Sequence, residues 1–210
     1  MQHIRGYLSE LQLLIDQLPV NQIDRVIQVL REARHQRRQV FTMGNGGSAS
    51  TASHFVCDLA KNTRLENYPP FRVIGLADNV AAMLAYANDE GYENVFSQQL
   101  ASLVEPGDVV IAISASGNSP NVLKAVELAR RAGATTIGFT GFDGGRLAGM
   151  VDINILVPSN CIEQVEDVHL VLEHLITRNL REQPGGAGPV LQAAESLEQT
   201  VTGMAGTNSI

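Results

Sequence analysis

Apolar residues recur at two different periods along this chain, and the change from one to the other divides it. In the opening segment, "IRGYLSELQLLIDQLP", Ile4, Leu8, Leu11 and Ile15 share one face of a helix, and Pro19 stops the run. Ile23, Val26, Ile27 and Leu30 do the same in "NQIDRVIQVLREARHQRRQ". From residue 40 onward, short apolar runs alternate with helical stretches. Strands are predicted at 40–43 (VFTM), 72–77 (RVIGLA), 108–113 (DVVIAI), 135–140 (TTIGFT) and 152–157 (DINILV). Helices are predicted near 48–62, 79–88, 93–104 and 119–132, and a last long one over 162–182. Runs that are apolar on both faces and separated by helices call for a parallel sheet covered on both sides. The expected architecture is a three-layer, doubly wound α/β domain with two leading helices. After Glu182 the pattern ends: "QPGGAGP" breaks any helix, 190–201 suits a short amphipathic helix, and 203–210 reads as a disordered tail. The expected organisation is one domain over 1–182 and a tail over 183–210.

Composition changes that picture little. A chain of 210 residues with 44% apolar content can bury one substantial core. The formal charge of −7, with no stripe of Lys and Arg, argues against a nucleic-acid partner. No uninterrupted apolar stretch is long enough to span a bilayer, and the charged N-terminal segment does not read as a signal peptide. Cys57 and Cys161 are too few for a disulfide framework or a thiolate metal site. The expectation is two reduced thiols in a cytoplasmic protein.

Candidate chemistry lies at two strand ends. In "SASGNSPNV" (114–122), Ser114, Ser116 and Ser119 offer hydroxyls, Gly117 lets the backbone approach closely, and Ser119 with Pro120 suits a helix start. The free N–H groups of that helix would face the loop, giving an uncharged cradle for a phosphate monoester. A plain serine-rich capped turn would use the same residues. The second loop, "MGNGGSAS" (43–50), tips the balance, because it also joins a strand to a helix and brings Gly44, Gly46 and Gly47. It is neither a dinucleotide fingerprint nor a P-loop, since the spacing is wrong and no Lys follows. Two such loops on one sheet edge point to a small phosphorylated ligand.

The segments "GNGGSAS…HF", "ANDEGYENVFSQQL", "PGDVVIAISASGNSPNVLKAVELAR", "GFTGFDGGRLAGMVD" and "VEDVHLVLEHL" resemble the sugar isomerase (SIS) domain family. Within it the resemblance is to phosphoheptose isomerases and covers about residues 1–182. It implies a five-stranded parallel sheet and a homotetramer with active sites between subunits. The implied reaction converts D-sedoheptulose 7-phosphate to D-glycero-D-manno-heptose 7-phosphate, towards bacterial heptose precursors such as those of lipopolysaccharide. Substrate contacts carry over to Asn45, Gly46, Gly47, Ser48, Asn88, Asp89, Ser114, Ala115, Ser116 and Ser119. The family holds Zn²⁺ through a His and a Glu on the first helix and a Gln and a His on the last. Here His54 and His174 match, while Asp58 stands for the Glu and Glu166 for the Gln. The implied metal set is His54, Asp58, Glu166 and His174.

Spacing is compatible with that set. His54 and Asp58 are four apart and share a helix face, and two imidazoles with two carboxylates suit Zn²⁺ or another divalent ion. Glu166 and His174, eight apart, also share a face, and without the resemblance a solvated helix face with an incidental ion pair or hydrogen bond would be the better explanation of each pair. Aldose–ketose exchange needs a base beside the carbons and an acid beside the carbonyl oxygen. The family's roles make Asp58 the base and His174 the acid. Asp58 is one methylene shorter than Glu, so Glu166 is a candidate base too, besides contacting substrate. His169, three residues from Glu166, is either a support for that centre or a helix histidine at a subunit contact, and His3 and His35 read as surface residues. Two alternatives differ in class. One is a non-catalytic SIS protein that binds a sugar phosphate or the replication initiator, although such proteins lack the last histidine. The other is an isomerase of a different ketose phosphate.

Overall fold

A computed structural model describes residues 2–66 and 68–182. Its five apolar runs form five parallel strands: β1 (Gln39–Met43), β2 (Arg72–Gly75), β3 (Val109–Ser114), β4 (Thr135–Gly141) and β5 (Ile153–Val157). They lie in the order β2-β1-β3-β4-β5. Val40 pairs with Val73 on one side and Val109 on the other. Eight helices accompany them among the described residues. These are α1 (Gln2–Asp16), α2 (Val20–His35), α3 (Gly47–Cys57), α4 (Val80–Glu90), α5 (Val95–Ala101), α6 (Pro120–Arg131), α7 (Gly145–Ala148) and α8 (Ile162–Arg181).

The period of two along a strand builds two cores at once. Val109, Ile111 and Ile113 of β3 face a cluster with α1, α2, α3 and α8. Val110 and Ala112, one residue out of phase, face α5, α6 and α7 with partly buried side chains of α4. The result is a three-layer α/β sandwich with both faces of the sheet covered, as the apolar runs require.

The structure departs from the predicted elements at three points. The helix expected over 48–62 is α-helical only to Cys57. It ends in a π turn, Asp58–Asn62, where the Thr63 N–H donates to the Asp58 carbonyl at 3.2 Å. The helix expected over 93–104 is a 3₁₀ turn, Tyr92–Asn94, followed by α5, because Gly91 at φ +92° ends α4 and redirects the chain. α7 was not expected, and it starts from Gly144 and Gly145, both at positive φ. The predicted tail over 183–210, with its helix at 190–201, lies outside the described residues. No helix among the described residues is long and apolar enough to cross a membrane.

Candidate active site

From the centre of the sheet, chain connections run in opposite directions on either side of the β1–β3 pair. Ligands of open α/β sheets bind in the crevice at such a switch, beyond the carboxyl ends of the strands. Met43 and Ala112 are register partners there, so the glycine loop after β1 and the serine loop after β3 emerge side by side.

The serine loop is fixed from behind by a third loop. Gly117, at φ +62°, packs so closely that a Cβ would lie 2.0 Å from the Gly144 carbonyl oxygen. The Leu147 N–H donates to the Gly117 carbonyl at 2.9 Å, and the Gly141 N–H to the Ala115 carbonyl at 2.8 Å. Ser119 takes the N-cap position of α6 and Pro120 the first turn, as predicted, but the Ser119 hydroxyl makes no capping bond. It instead faces the Ser114 hydroxyl at 3.4 Å, which leaves it available to a ligand.

These loops enclose a cavity of about 160 Å³ lined by Asn45, Ser48, Ser114, Ala115, Ser116, Ser119 and Glu166, together with Ile113, Phe142 and Ile162. Gly46, at φ +53°, and Gly47 lie between the lining residues Asn45 and Ser48 at the start of α3 but do not themselves line the cavity. The Glu166 carboxylate sits directly over Gly47, where a Cβ would meet its oxygens at 2.3 and 2.4 Å. A carboxylate at the first turn of α3 is favoured by the helix dipole. Asn88 and Asp89 do not join this group. They are exposed at the end of α4, where Asn88 Nδ2 donates to Asp89 Oδ1 at 2.7 Å.

A second centre lies further along α8. His54, Asp58, Glu173 and His174 each bring a ligand atom within 4.8 Å of the others. His54 Nε2 lies 3.4 Å from His174 Nε2 and 3.8 Å from Asp58 Oδ1, and His174 Nε2 lies 3.6 Å from Glu173 Oε2. Asn62, at the end of the π turn, donates to Asp58 Oδ1 and orients that carboxylate. Of the metal set implied by the resemblance, the structure brings His54, Asp58 and His174 together, and the fourth residue in their cluster is Glu173 rather than Glu166. Seven residues separate the two, which puts them on one stripe of α8 about 10 Å apart along its axis. Only the later turn meets α3 at His54 and Asp58.

The donor set suits a divalent cation. Glu173 is fully buried, and neither of its oxygens has a hydrogen-bond donor. Burial first, and then the adjacent Asp58 carboxylate, push its carboxyl up to about 8. A buried carboxyl held by a proton, beside a second carboxylate and two half-exposed imidazoles, is a place where a cation's charge would replace that proton.

His169 lies elsewhere than the metal cluster and the cavity. It is buried against Phe139, its Nε2 is 3.3 Å from the Thr140 carbonyl, and burial lowers its pKa to about 4. It is a neutral core histidine. Sequence reasoning missed Glu173, although it precedes His174 and repeats Glu166 at a spacing of seven. It also missed Phe142, which lines the cavity from a left-handed backbone (φ +52°) just after Gly141 ends β4.

The SIS domain family matches residues 6–141. The phosphoheptose isomerase of Trichlorobacter lovleyi is 44% identical over 138 residues, which is 66% of this chain and 70% of that protein. That of Shewanella denitrificans is 40% identical over 146 residues, 68% of this chain and 74% of that protein. Among solved structures, phosphoheptose isomerase GmhA from Neisseria gonorrhoeae is similar with a TM-score of 0.77 at 28% identity, covering 85% of this chain and 95% of that one. A phosphoheptose isomerase from Francisella tularensis gives 0.80 at 28% identity, covering 87% and 96%.

Proposed function

This chain belongs to the SIS-domain phosphoheptose isomerases, and on that premise we propose that it interconverts D-sedoheptulose 7-phosphate and D-glycero-D-manno-heptose 7-phosphate through an enediol, towards bacterial heptose precursors. One observation carries the reading. A serine-lined cavity at a helix start and a histidine–carboxylate cluster lie about two turns of α8 apart, on a scale that suits the two ends of an extended sugar phosphate.

Two helix starts border the cavity, and Glu166 already sits on that of α3. The phosphate therefore goes to the start of α6, where Ser114, Ser116 and Ser119 add hydroxyl donors. Glu166 then accepts hydrogen bonds from sugar hydroxyls rather than touching the phosphate. The reacting carbons reach the cluster. There Asp58, with Oδ1 held by Asn62, takes the proton from C1 on Oδ2 and returns one to C2, while His174 moves the proton between O1 and O2 through the ring nitrogen that would not bind the cation. His54, Asp58, Glu173 and His174 would hold one Zn²⁺, which when bound would polarise the oxygens at C1 and C2.

His54 and His174 are half exposed. Ile4, Leu8 and Leu13 on α1, and Leu84 on α4, are more than half exposed. Such faces support a homotetramer in which neighbouring copies complete each site and bring Asn88 and Asp89 to it. Sedimentation at micromolar concentration tests this, and a monomer would remove it. The activity itself is tested by incubating the protein with sedoheptulose 7-phosphate, with and without zinc, and following the aldose C1 proton by NMR. Saturable binding with no aldose would instead favour a sugar-phosphate-binding regulator.

A further inference from the structure

The side chain of Asn45, which lines the serine cavity, is held by two residues that do not line it. Asn45 Nδ2 donates to Asn121 Oδ1 at 2.9 Å, and Asn121 Nδ2 donates back to Asn45 Oδ1 at 2.9 Å. The Tyr92 hydroxyl also donates to Asn45 Oδ1, at 2.8 Å. Asn121 belongs to the first turn of α6 and is 1% exposed, whereas Tyr92 comes from the 3₁₀ turn after α4.

The direction of this network is set by the backbone. The Val122 N–H meets the Asn121 side chain at 3.0 Å, and since an N–H can only donate, the atom it meets is the amide oxygen. Asn121 Nδ2 must then face Asn45, which answers with its own oxygen. Both acceptor sites of Asn45 Oδ1 are filled, by Tyr92 and Asn121. One hydrogen of Asn45 Nδ2 is used, which leaves one N–H without a partner among the described residues.

We infer that Asn121 and Tyr92 are positioning residues that lock the Asn45 amide so that it offers the cavity one donor and no acceptor. Such a group selects a ligand oxygen that accepts, a phosphate or carbonyl oxygen, and leaves a ligand donor unpaired. An unlocked Asn45 would flip and serve either, losing that discrimination. The inference rests on the reading that the cavity holds a phosphorylated sugar, so its test has one arm with ligand and one without.

Without ligand, ¹⁵N-resolved NMR of the whole protein reads exchange of the Asn45 side-chain amide with water, assigned by its loss in Asn45→Ala. Slow exchange in the wild type that becomes fast in Tyr92→Phe and in Asn121→Ala is expected. Equal, fast exchange in all three overturns the lock. With ligand, titration calorimetry with sedoheptulose 7-phosphate and with inorganic phosphate is run on the single variants and on Asn45→Ala/Tyr92→Phe. The Tyr92→Phe change should weaken binding about tenfold alone, the scale of one hydrogen bond, and have no further effect once Asn45 is alanine. Equal losses in both backgrounds overturn the positioning role. Tyr92 is half exposed and its phenyl ring is retained, so this variant folds even if buried Asn121→Ala does not. A locked amide in a protein that binds neither ligand overturns the ligand reading while leaving the lock in place.

Discussion

His54 Nε2 and His174 Nε2 face each other across 3.4 Å, although 120 residues separate them in the chain. At that distance the two ring nitrogens can share one hydrogen bond, and neither oxygen of the buried Glu173 behind them has a hydrogen-bond partner. The contact exists because α3 and α8 pack on the same face of the sheet, with Phe55 of α3 and Leu172 of α8 in one core. It makes the cluster a property of two helices rather than of any loop.

Metal retention separates Glu173 from Glu166. His54→Ala, His174→Ala and Glu173→Gln should each weaken zinc binding by more than the roughly 10–100-fold typical of an outer-shell change. Glu166→Gln should leave it unchanged. Competition with a chromophoric chelator measures all four, and weaker zinc retention in Glu166→Gln would return that residue to the metal set.

Kinetics of Glu166→Gln report its role in the cavity. As a contact to sugar hydroxyls it should raise KM and leave kcat within a few-fold. As the base it should lower kcat by roughly 10²–10⁴. The first outcome is expected, because the carboxylate lies over Gly47 and not in the histidine cluster.

Two glycine substitutions should differ in kind. In Gly117→Ala the Cβ would strike a backbone oxygen at 2.0 Å, from a backbone at φ +62°. A loss on the order of 3 kcal/mol in urea denaturation is expected. In Gly47→Ala the atoms nearest the new Cβ are those of the Glu166 carboxylate, the end of a flexible side chain that can swing away. That variant should fold and reproduce the KM effect of Glu166→Gln, whereas wild-type KM would show that Glu166 does not work from this position.

Acid should destabilise the fold through His169. Burial lowers its pKa to about 4 from an ordinary 6.5, so between those values the unfolded chain binds the proton and the folded one does not. Its contribution to stability is fully present above pH 6.5 and falls by about 3 kcal/mol as the pH drops to 4. His169→Leu should flatten that part of the stability curve in denaturant titrations, and an unchanged slope would place the acid sensitivity elsewhere.

Much of the site was legible because it is local. A strand's apolar run, a Ser-Pro helix start and glycines at a turn act within a few residues, so the two loops and the pairing of His54 with Asp58 follow from spacing. The five-stranded parallel sheet was implied by the family resemblance and its strand order came only from the structure, while the three layers follow from helices alternating with strands that are apolar on both faces. What spacing could not decide was which turn of α8 meets His54 and Asp58. Glu166 and Glu173 stand seven residues apart on one stripe, so any helical-face argument accepts both. Packing of α8 across the sheet chose Glu173 for the cluster and left Glu166 over the α3 start. The same holds for Asn45, whose partners Tyr92 and Asn121 come from segments 47 and 76 residues away. Periodicity records which face of an element is buried, and only the assembled layers decide what that face meets.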